Sequence, residues 1–252
     1  VGTFLISNGK AEIRGVLADL PRVVSGPRWT PADYRDLLSL MYMLIRHIKI
    51  KGVLALESHI DAPAESPIFK AYPKILADHF AIHFITDTIR MIVMSLEDPH
   101  QVEDCMQRQI ERHEAEMKSR VAAVQSRADA LPALGIVAAV LGVVKTMGSI
   151  TEPVEVLGAM IGGALVGTFL GVFLAYGFAA PVAAKLHQVH EQDGQFYSII
   201  KDCLVAMLHG QAAPIAIELA RGNVPTDMQP SFHEMERLLE TLPADLATAQ
   251  AA

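Results

Sequence analysis

Residues Val156 to Ala184 read VLGAMIGGALVGTFLGVFLAYGFAAPVAA. This stretch of 29 residues contains no Asp, Glu, Lys, Arg or His. A helix needs about 20 apolar residues to cross a bilayer, so the stretch is long enough to span one with some tilt. It therefore predicts a transmembrane helix. The alternative is a buried helix of a large soluble all-α domain, although such helices rarely stay uncharged over this length.

A second uncharged run lies just upstream, from Ala130 to Val144, and has 15 residues. This run is short for a span, but the amine of Lys145 can reach the interface and the polar turn after it extends the span to Ser149. Only residues 145–155 separate the two runs. Together they predict an antiparallel transmembrane hairpin over residues 130–184.

Basic residues on both sides of the hairpin predict its orientation. Three of them lie within residues 118–127, and Lys185 and Lys201 follow the hairpin, whereas its turn holds Lys145 alone. Because Lys and Arg concentrate in cytoplasmic loops, both flanks are expected in the cytoplasm. The two cysteines, Cys105 and Cys203, fit a reducing compartment.

The composition excludes several other classes of protein. The chain has 252 residues, of which 51% are apolar and 19% charged, so intrinsic disorder is excluded. Two cysteines in so long a chain do not form a disulfide scaffold. A net charge of −7 argues against binding to nucleic acid.

Helical periodicity outside the hairpin predicts an all-α membrane protein. Thr30, Pro31 and Asp33 make a helix start, and apolar residues recur after them at helical spacing until Gly52. Further helices are predicted over 73–96, 101–127 and 185–209, and a capping box at Ser231 starts a last one. The predicted organisation is a tail of a truncated transmembrane helix at 1–9, a cytoplasmic helical domain at 10–129, the hairpin at 130–184, and cytoplasmic C-terminal helices at 185–252.

Enzymatic and metal chemistry have no predicted site in this sequence. His79 and His83 have the spacing of two metal ligands on a helix, but Phe80 and Phe84 crowd them and no glutamate completes a zinc-protease motif. Phosphate-binding loops, catalytic triads and cysteine pairs at ligand spacing are also missing from the sequence. We therefore predict no enzyme, no metal site and no cofactor.

The spans themselves carry the informative residues. Gly163, Gly167 and Gly171 place small residues on one helix face, which lets another helix approach within the monomer or from a second copy. Thr168 and Tyr176 are the notable polar residues inside the longer run, and the simplest role of Thr168 is a hydrogen bond back to its own helix. Pro132 and Pro181 lie at opposite sequence ends of the hairpin and are expected at similar depth, as helix-end or kink residues.

Neither span contains an acidic residue. A proton or cation path normally uses a buried ionisable group. If the protein moves ions, another chain is expected to supply the carboxylate.

Several motifs resemble one known family. The segments LPALGIVAAVLGVV at 131–144 and VGTFLGVFLAYGFAAP at 166–181 are similar to the third and fourth transmembrane helices of the flagellar motor stator A subunits, the MotA family. The segments GVLALE at 52–57, ESPIF at 65–69 and APIAIE at 213–218 extend the resemblance along the chain.

The resemblance implies a subunit of the bacterial inner membrane with four transmembrane helices and a large cytoplasmic domain. In the family, five A subunits surround two B subunits anchored to peptidoglycan, and an aspartate of the B subunit carries the ion. Ion flow turns the ring and drives the torque ring of the rotor, and so supports motility and chemotaxis. The expected coupling ion is the proton.

The resemblance also assigns roles to particular residues. Pro132 and Pro181 match the two functional prolines of the family, and Thr168 matches the threonine near the ion path. Glu57 matches the acid that engages the rotor, and Lys49 stands where the well-known form has arginine, so its charge is kept but the bidentate fork is lost. Sodium-driven relatives carry threonine at the position of Ala139, so alanine there favours protons.

The sequence departs from the family at its start. The family's first helix and most of its second have no counterpart, which leads us to expect a fragment. The nearest alternative function is a proton-channel subunit of the ExbB/TolQ type, which energises outer-membrane processes without a rotor. A helical membrane scaffold without an ion path is a further alternative.

Overall fold

The computed structural model describes residues 7–96 and 98–242, and that part of the chain contains helices and no strand. The predicted all-α fold class is confirmed. Residues 1–6 of the predicted helix tail lie outside the described residues. The helices are α1 (Lys10–Asp19), α2 (Arg22–Ser25), α3 (Pro31–Lys51), a 3₁₀-helix (Val53–Leu56), α4 (Glu57–Asp61), α5 (Pro67–Lys70), α6 (Pro73–Leu76), α7 (His79–Val93), α8 (Pro99–Met147), α9 (Val154–Leu174), a π-helix (Ala175–Ala179), α10 (Ala180–Leu208), α11 (Ala213–Arg221) and α12 (Phe232–Thr241).

The chain divides into two compact units. Residues 1–26 and 115–190 form the first, called here the hairpin unit, and residues 27–114 and 191–252 form the second, called the core unit. The domain borders predicted at 129/130 and 184/185 fall within α8 and α10, which continue through them without a break. The pattern of charges marks where the apolar segments begin, but it does not end the helices.

In the described part of the chain, two helices are long and apolar enough to cross a membrane, one within Pro99–Met147 and one within Val154–Leu208. Only 11% of each apolar window is buried inside the chain. The core helix of a soluble domain would be mostly buried, so the exposed apolar faces favour the predicted membrane hairpin over that alternative.

The two arms of the hairpin touch through glycines. A methyl group placed on Gly171 would come within 2.7 Å of the Leu131 carbonyl oxygen and 2.9 Å of the Gly135 Cα. One placed on Gly142 would lie 2.5 Å from the Cβ of Ala164. In lipid, helices associate largely through close van der Waals packing, which small residues permit. Because glycine has no side chain, the backbones of α8 and α9 come into direct contact at these positions.

The predicted glycine stripe divides at this contact. Gly167 and Gly171 lie against α8, whereas a methyl group on Gly163 would meet nothing within 4 Å. The face that packs within the monomer is instead the one that carries Ala164, Gly167 and Gly171. A packing role for Gly163 stays a prediction, and it requires a partner outside the chain.

Within the hairpin unit, the side chain of Asp19 connects α1 to α8 and α10. Asp19 is buried, and its Oδ2 lies 3.3 Å from both Arg120 Nη1 and His190 Nε2. Burial acts to raise the pKa of Asp19, but the hydrogen bonds and charges of His190 and Arg120 outweigh it and lower the pKa. Gly15 makes room for this arrangement, since a methyl group there would lie 2.6 Å from Arg120 Nε.

The core unit is built around α3. Leu37, Met41 and Leu44 are fully buried, as their helical spacing predicts. Trp29, just before the helix, stacks on Phe196 of α10 with ring centroids 3.8 Å apart. The start of α3 is fixed by the Asp33 carboxylate, which accepts hydrogen bonds from the backbone N–H and hydroxyl of Thr30 and from the amine of Lys74.

The single helix predicted over residues 73–96 is wrong. The structure has two helices there, α6 and α7, which are separated at Ala77 and Asp78. The Asp78 carboxylate caps α7 by accepting a hydrogen bond of 2.7 Å from the Ala81 N–H. The apolar stripe continues through the break, so periodicity alone does not reveal it.

We expect Gly171→Ala to destabilise the hairpin by about 1–3 kcal/mol, because the added methyl overlaps the backbone of α8. Gly163→Ala is the matched control, since it adds the same methyl group to open space on the same helix. The measurement is the thermal unfolding midpoint of the monomer in detergent, where no neighbouring subunit can contact Gly163. Equal midpoints for the two variants would contradict the close contact of α8 and α9.

A second prediction concerns the acid dependence of stability at Asp33. Burial acts to raise its pKa, but the hydrogen bonds from Lys74 and Thr30 outweigh this and lower it. A lowered pKa means that the ionised carboxylate stabilises the fold above about pH 4 and that this contribution is lost as the pH falls through the folded-state pKa. Asp33→Asn should therefore lower the unfolding midpoint at pH 7, and the difference from wild type should shrink toward pH 3.

Asp36 provides a control of opposite sign. Burial and the charge of Asp33 raise the pKa of Asp36, so its ionised form opposes folding at neutral pH. Asp36→Asn should not lower the midpoint at pH 7. If both variants lose the same stability at every pH, the carboxylate of Asp33 has no electrostatic role.

Candidate functional site

Three of the predicted ion-path residues lie along one stretch of the hairpin. Thr168 lies on the side of α9 that faces α8, because its Cα is 3.3 Å from a methyl group placed on Gly135. The backbone nitrogen of Ala139 lies 3.7 Å from a methyl group placed on Gly167. Pro132 follows Leu131, whose carbonyl contacts Gly171. These residues therefore flank the glycine contact between the two arms.

The Thr168 hydroxyl has a particular position in this stretch. Its residue is half-buried, and among the described residues the hydroxyl forms no hydrogen bond. The bond back to its own helix, which is the simplest structural role of such a threonine, is therefore not formed. Thr146 shows the contrast, since its hydroxyl donates to the Gly142 carbonyl at 2.9 Å. The Thr168 hydroxyl is left available to a group outside the chain.

Pro181 does not lie at the depth of Pro132. The contacts pair Leu131 with Gly171, so Pro132 lies near the level of Gly171. Pro181 is ten residues further along the second arm, which at 1.5 Å per residue corresponds to about 15 Å. The expectation of similar depth is therefore wrong, because the arms are paired with a stagger that sequence positions do not show.

The π-helix is a feature that the sequence analysis missed. It covers Ala175–Ala179 and immediately precedes α10, in which Pro181 is the second residue. Proline has no N–H, so it removes a donor from the helical ladder and favours such an irregularity one turn earlier. The position of Pro181 inside an apolar run was the signal that could have indicated it.

Lys49 and Glu57 are exposed at successive helix ends of the core unit. Lys49 lies in the last turn of α3, and its amine donates to the Met207 carbonyl at 3.3 Å. Glu57 begins α4 after the 3₁₀-helix, and no ion pair of Glu57 is found among the described residues. Gly52 permits the turn between them with a φ of 83°.

Two exposed apolar residues lie between these charges and were not identified from the sequence. Ile50 is 65% exposed and Leu54 is 67% exposed. Exposed aliphatic side chains next to charges are common at contact surfaces, although single ones also occur elsewhere. The segment therefore presents both charged and apolar groups to the outside.

The two histidines considered from the sequence stack on each other, and the phenylalanine between them stacks on a third histidine. The rings of His79 and His83 have centroids 6.3 Å apart, and Phe80 stacks on His113 at 4.0 Å. No cluster of three His, Cys, Asp or Glu side chains suited to a metal occurs in the described part of the chain. That His79 and His83 bind no metal stays a prediction.

Comparison with known proteins identifies the family. Residues 76–197 match the MotA/TolQ/ExbB proton channel family, and residues 1–52 match the Motility protein A N-terminal family. The chain is 40% identical to Motility protein A of Escherichia coli (strain K12) over 236 residues, which cover 94% of this chain and 80% of the relative. It is 32% identical to the Chemotaxis protein LafT of Vibrio parahaemolyticus over 238 residues, covering 94% and 84%.

Solved structures show the same fold. The flagellar MotAB stator complex from Bacillus subtilis matches with a TM-score of 0.70 at 21% identity, over 92% of this chain and 84% of that one. The C. jejuni MotAB structure matches with a TM-score of 0.68 at 20% identity, over 89% and 80%. These relatives are motility and proton-channel proteins, and the similarity favours a stator over the ExbB/TolQ alternative. The chain belongs to the motility protein A family of flagellar stator subunits.

Proposed function

We propose that this inner-membrane protein couples proton flow to torque on the flagellar rotor, as the A subunit of a stator that also contains a B subunit. The observation that carries the proposal is the similarity to Motility protein A along 94% of the chain. The hairpin geometry supports it, because the Thr168 hydroxyl, which forms no hydrogen bond among the described residues, lies beside the contact between the two arms.

The proposed ion path runs along the arm that carries Thr168. Its hydroxyl is unbonded within the described residues, so it can contact a partner helix, and Ala139 and Pro132 lie on the opposing arm beside the same glycine contact. The sequence of the spans holds no carboxylate. The partner therefore has to provide the ionisable group, which fits relatives whose solved structures are named as complexes of two subunits, MotAB.

The proposed assembly is a homo-oligomer, a pentamer around two B subunits. Most of the apolar surface of both spans is uncovered within the chain, and Gly158, Gly162 and Gly163 each leave open space. Such small residues allow a neighbouring helix to approach closely. The chain thus has unused packing surface of the kind that a ring of subunits and a central partner would cover.

The proposed rotor contact uses Lys49 and Glu57. Both side chains are exposed, and neither forms an ion pair with a described residue. Exposed charges contribute little to folding stability, but they steer and select a charged partner. The core unit is accordingly proposed to be cytoplasmic, where the torque ring of the rotor is.

We expect charge reversal at Lys49→Glu or Glu57→Lys to slow swimming without lowering the amount of protein in the membrane. Reversing an exposed charge replaces attraction to the rotor by repulsion while costing the fold little. The measurement is swimming speed in cells that lack their own A subunit and supply a cognate B subunit. Glu240→Lys, an equal charge change at an exposed position of α12, should leave swimming unchanged.

A partial rescue by reversing charges on the rotor would support direct contact. If no rotor charge change interacts with either variant, the rotor assignment of Lys49 and Glu57 fails.

For the ion path, we expect Thr168→Ala to abolish or strongly reduce swimming and Thr168→Ser to retain most of it, because serine keeps the hydroxyl. Pro132→Ala should also reduce swimming, since it restores a helical N–H beside the contact. The measurement combines swimming with proton uptake by vesicles that contain the stator complex. A silent Thr168→Ala at equal membrane level would favour a scaffold without an ion path.

A further inference from the structure

One backbone carbonyl inside the second arm has lost both of its helical donors. In a regular α-helix, the carbonyl of Tyr176 would accept from the N–H of Ala180, four residues later. That N–H donates instead to the carbonyl of Ala175, as the π-helix requires. The Tyr176 carbonyl is therefore passed over by its α-helical donor.

The next donor along the helix is missing for a chemical reason. In π-geometry the Tyr176 carbonyl would accept from residue 181, five residues later. That residue is proline, which has no N–H. The π-helix and Pro181 together leave this oxygen without either of its two helical donors.

The environment makes an unpaired carbonyl costly. Tyr176 lies within the uncharged run from 156 to 184, and its residue is 68% exposed at the surface of the chain, whereas the neighbouring Ala175 is fully buried. By the pairing of Leu131 with Gly171, Tyr176 lies about 8 Å past Gly171, toward the end of the uncharged run, and non-helical backbone in a span is tolerated where it meets water or is covered by protein. The oxygen therefore needs a donor other than the two that its own helix would supply.

We propose that the carbonyl oxygen of Tyr176 binds a water molecule within the membrane span, next to Pro181. A carbonyl oxygen accepts from O–H and N–H donors alike, and water is the donor that needs no further protein group to reach this exposed segment; hydronium shares its chemistry. That this water belongs to the proton path rests on the function proposed above. The binding of water itself depends only on the π-helix, the proline and the membrane.

The sequence allows this carbonyl to be observed alone. Tyr176–Gly177 is the only Tyr–Gly pair in the sequence, and Ile161–Gly162 is the only Ile–Gly pair. Labelling with carbonyl-¹³C tyrosine and isoleucine and with ¹⁵N glycine gives one carbonyl–nitrogen cross-peak for each pair in solid-state NMR. Ile161 is the internal control, because it is 45% exposed in the regular part of α9, where its carbonyl accepts a helical hydrogen bond.

The experiment uses the stator complex with its cognate B subunit in lipid bilayers and measures magnetisation transfer from water protons to each carbonyl. We expect clear transfer to Tyr176 and loss of transfer at Ile161. In Pro181→Ala the new N–H can donate to the ladder, so the transfer to Tyr176 should fall to the level of Ile161 and its carbonyl shift should move toward the helical value.

Two results would overturn the proposal. One is an absence of water transfer to Tyr176 in the wild-type complex, which needs no variant to interpret. The other is transfer from side-chain protons of another subunit in place of water. The readout is independent of motility: a complex that binds this water but fails to restore swimming refutes the proposed function and leaves the water site standing, and the reverse result refutes the water site alone.

Discussion

The backbone contact between the two membrane arms is the constraint on which the hairpin depends. At Gly135 and Gly171 the helices approach so closely that one methyl group would overlap backbone atoms of the opposite arm. Lipid provides no hydrophobic drive to bring apolar helices together, so dispersion between closely packed surfaces carries more of the association. A contact made of backbone is also narrow, which explains why each apolar window stays mostly uncovered within the chain.

The close spacing at this contact fixes the positions of the residues beside it. Ala139 and Thr168 lie at its margin, and the Thr168 hydroxyl forms no hydrogen bond among the described residues. A larger residue in the contact would move both arms and change the distance between these two positions. The glycines therefore position the proposed ion-path residues while contributing no chemistry of their own.

Much of the fold follows from the sequence, and the exceptions have identifiable causes. The two spans, the start of α3 at Pro31 and the last helix after Ser231 were predictable, because uncharged length and capping residues are local signals. The break at Asp78 was not predictable, because the apolar stripe continues through it. Only the hydrogen bond from the Ala81 N–H to the Asp78 side chain marks the start of the next helix. The stagger that separates Pro181 from Pro132 depends on which glycines meet, and that is a property of the pair of helices.

Less of the candidate site than of the fold could be predicted from the residues alone. Composition could indicate that a carboxylate is missing from the spans, but roles for Lys49 and Glu57 came from resemblance to a family. An exposed charge with no ion-pair partner among the described residues leaves no physical trace of its purpose in a single chain. The π-helix lay between these cases, because Pro181 signals a lost donor but does not by itself distinguish a kink from a π-turn.

Two polar groups of the second arm share one property that connects the fold to the function. The Thr168 hydroxyl forms no hydrogen bond in the described part of the chain, and the Tyr176 carbonyl lacks both of its helical donors; eight residues, or about 12 Å of helix, separate them. In an apolar wall each requires a donor or acceptor from elsewhere. The folded chain forms the glycine contact between the arms. It leaves the Thr168 hydroxyl without a hydrogen bond in its described part and the Tyr176 carbonyl without its helical donors, so water or another subunit is needed to bond them. A chain whose span is incomplete in this way is suited to act as one part of a membrane assembly.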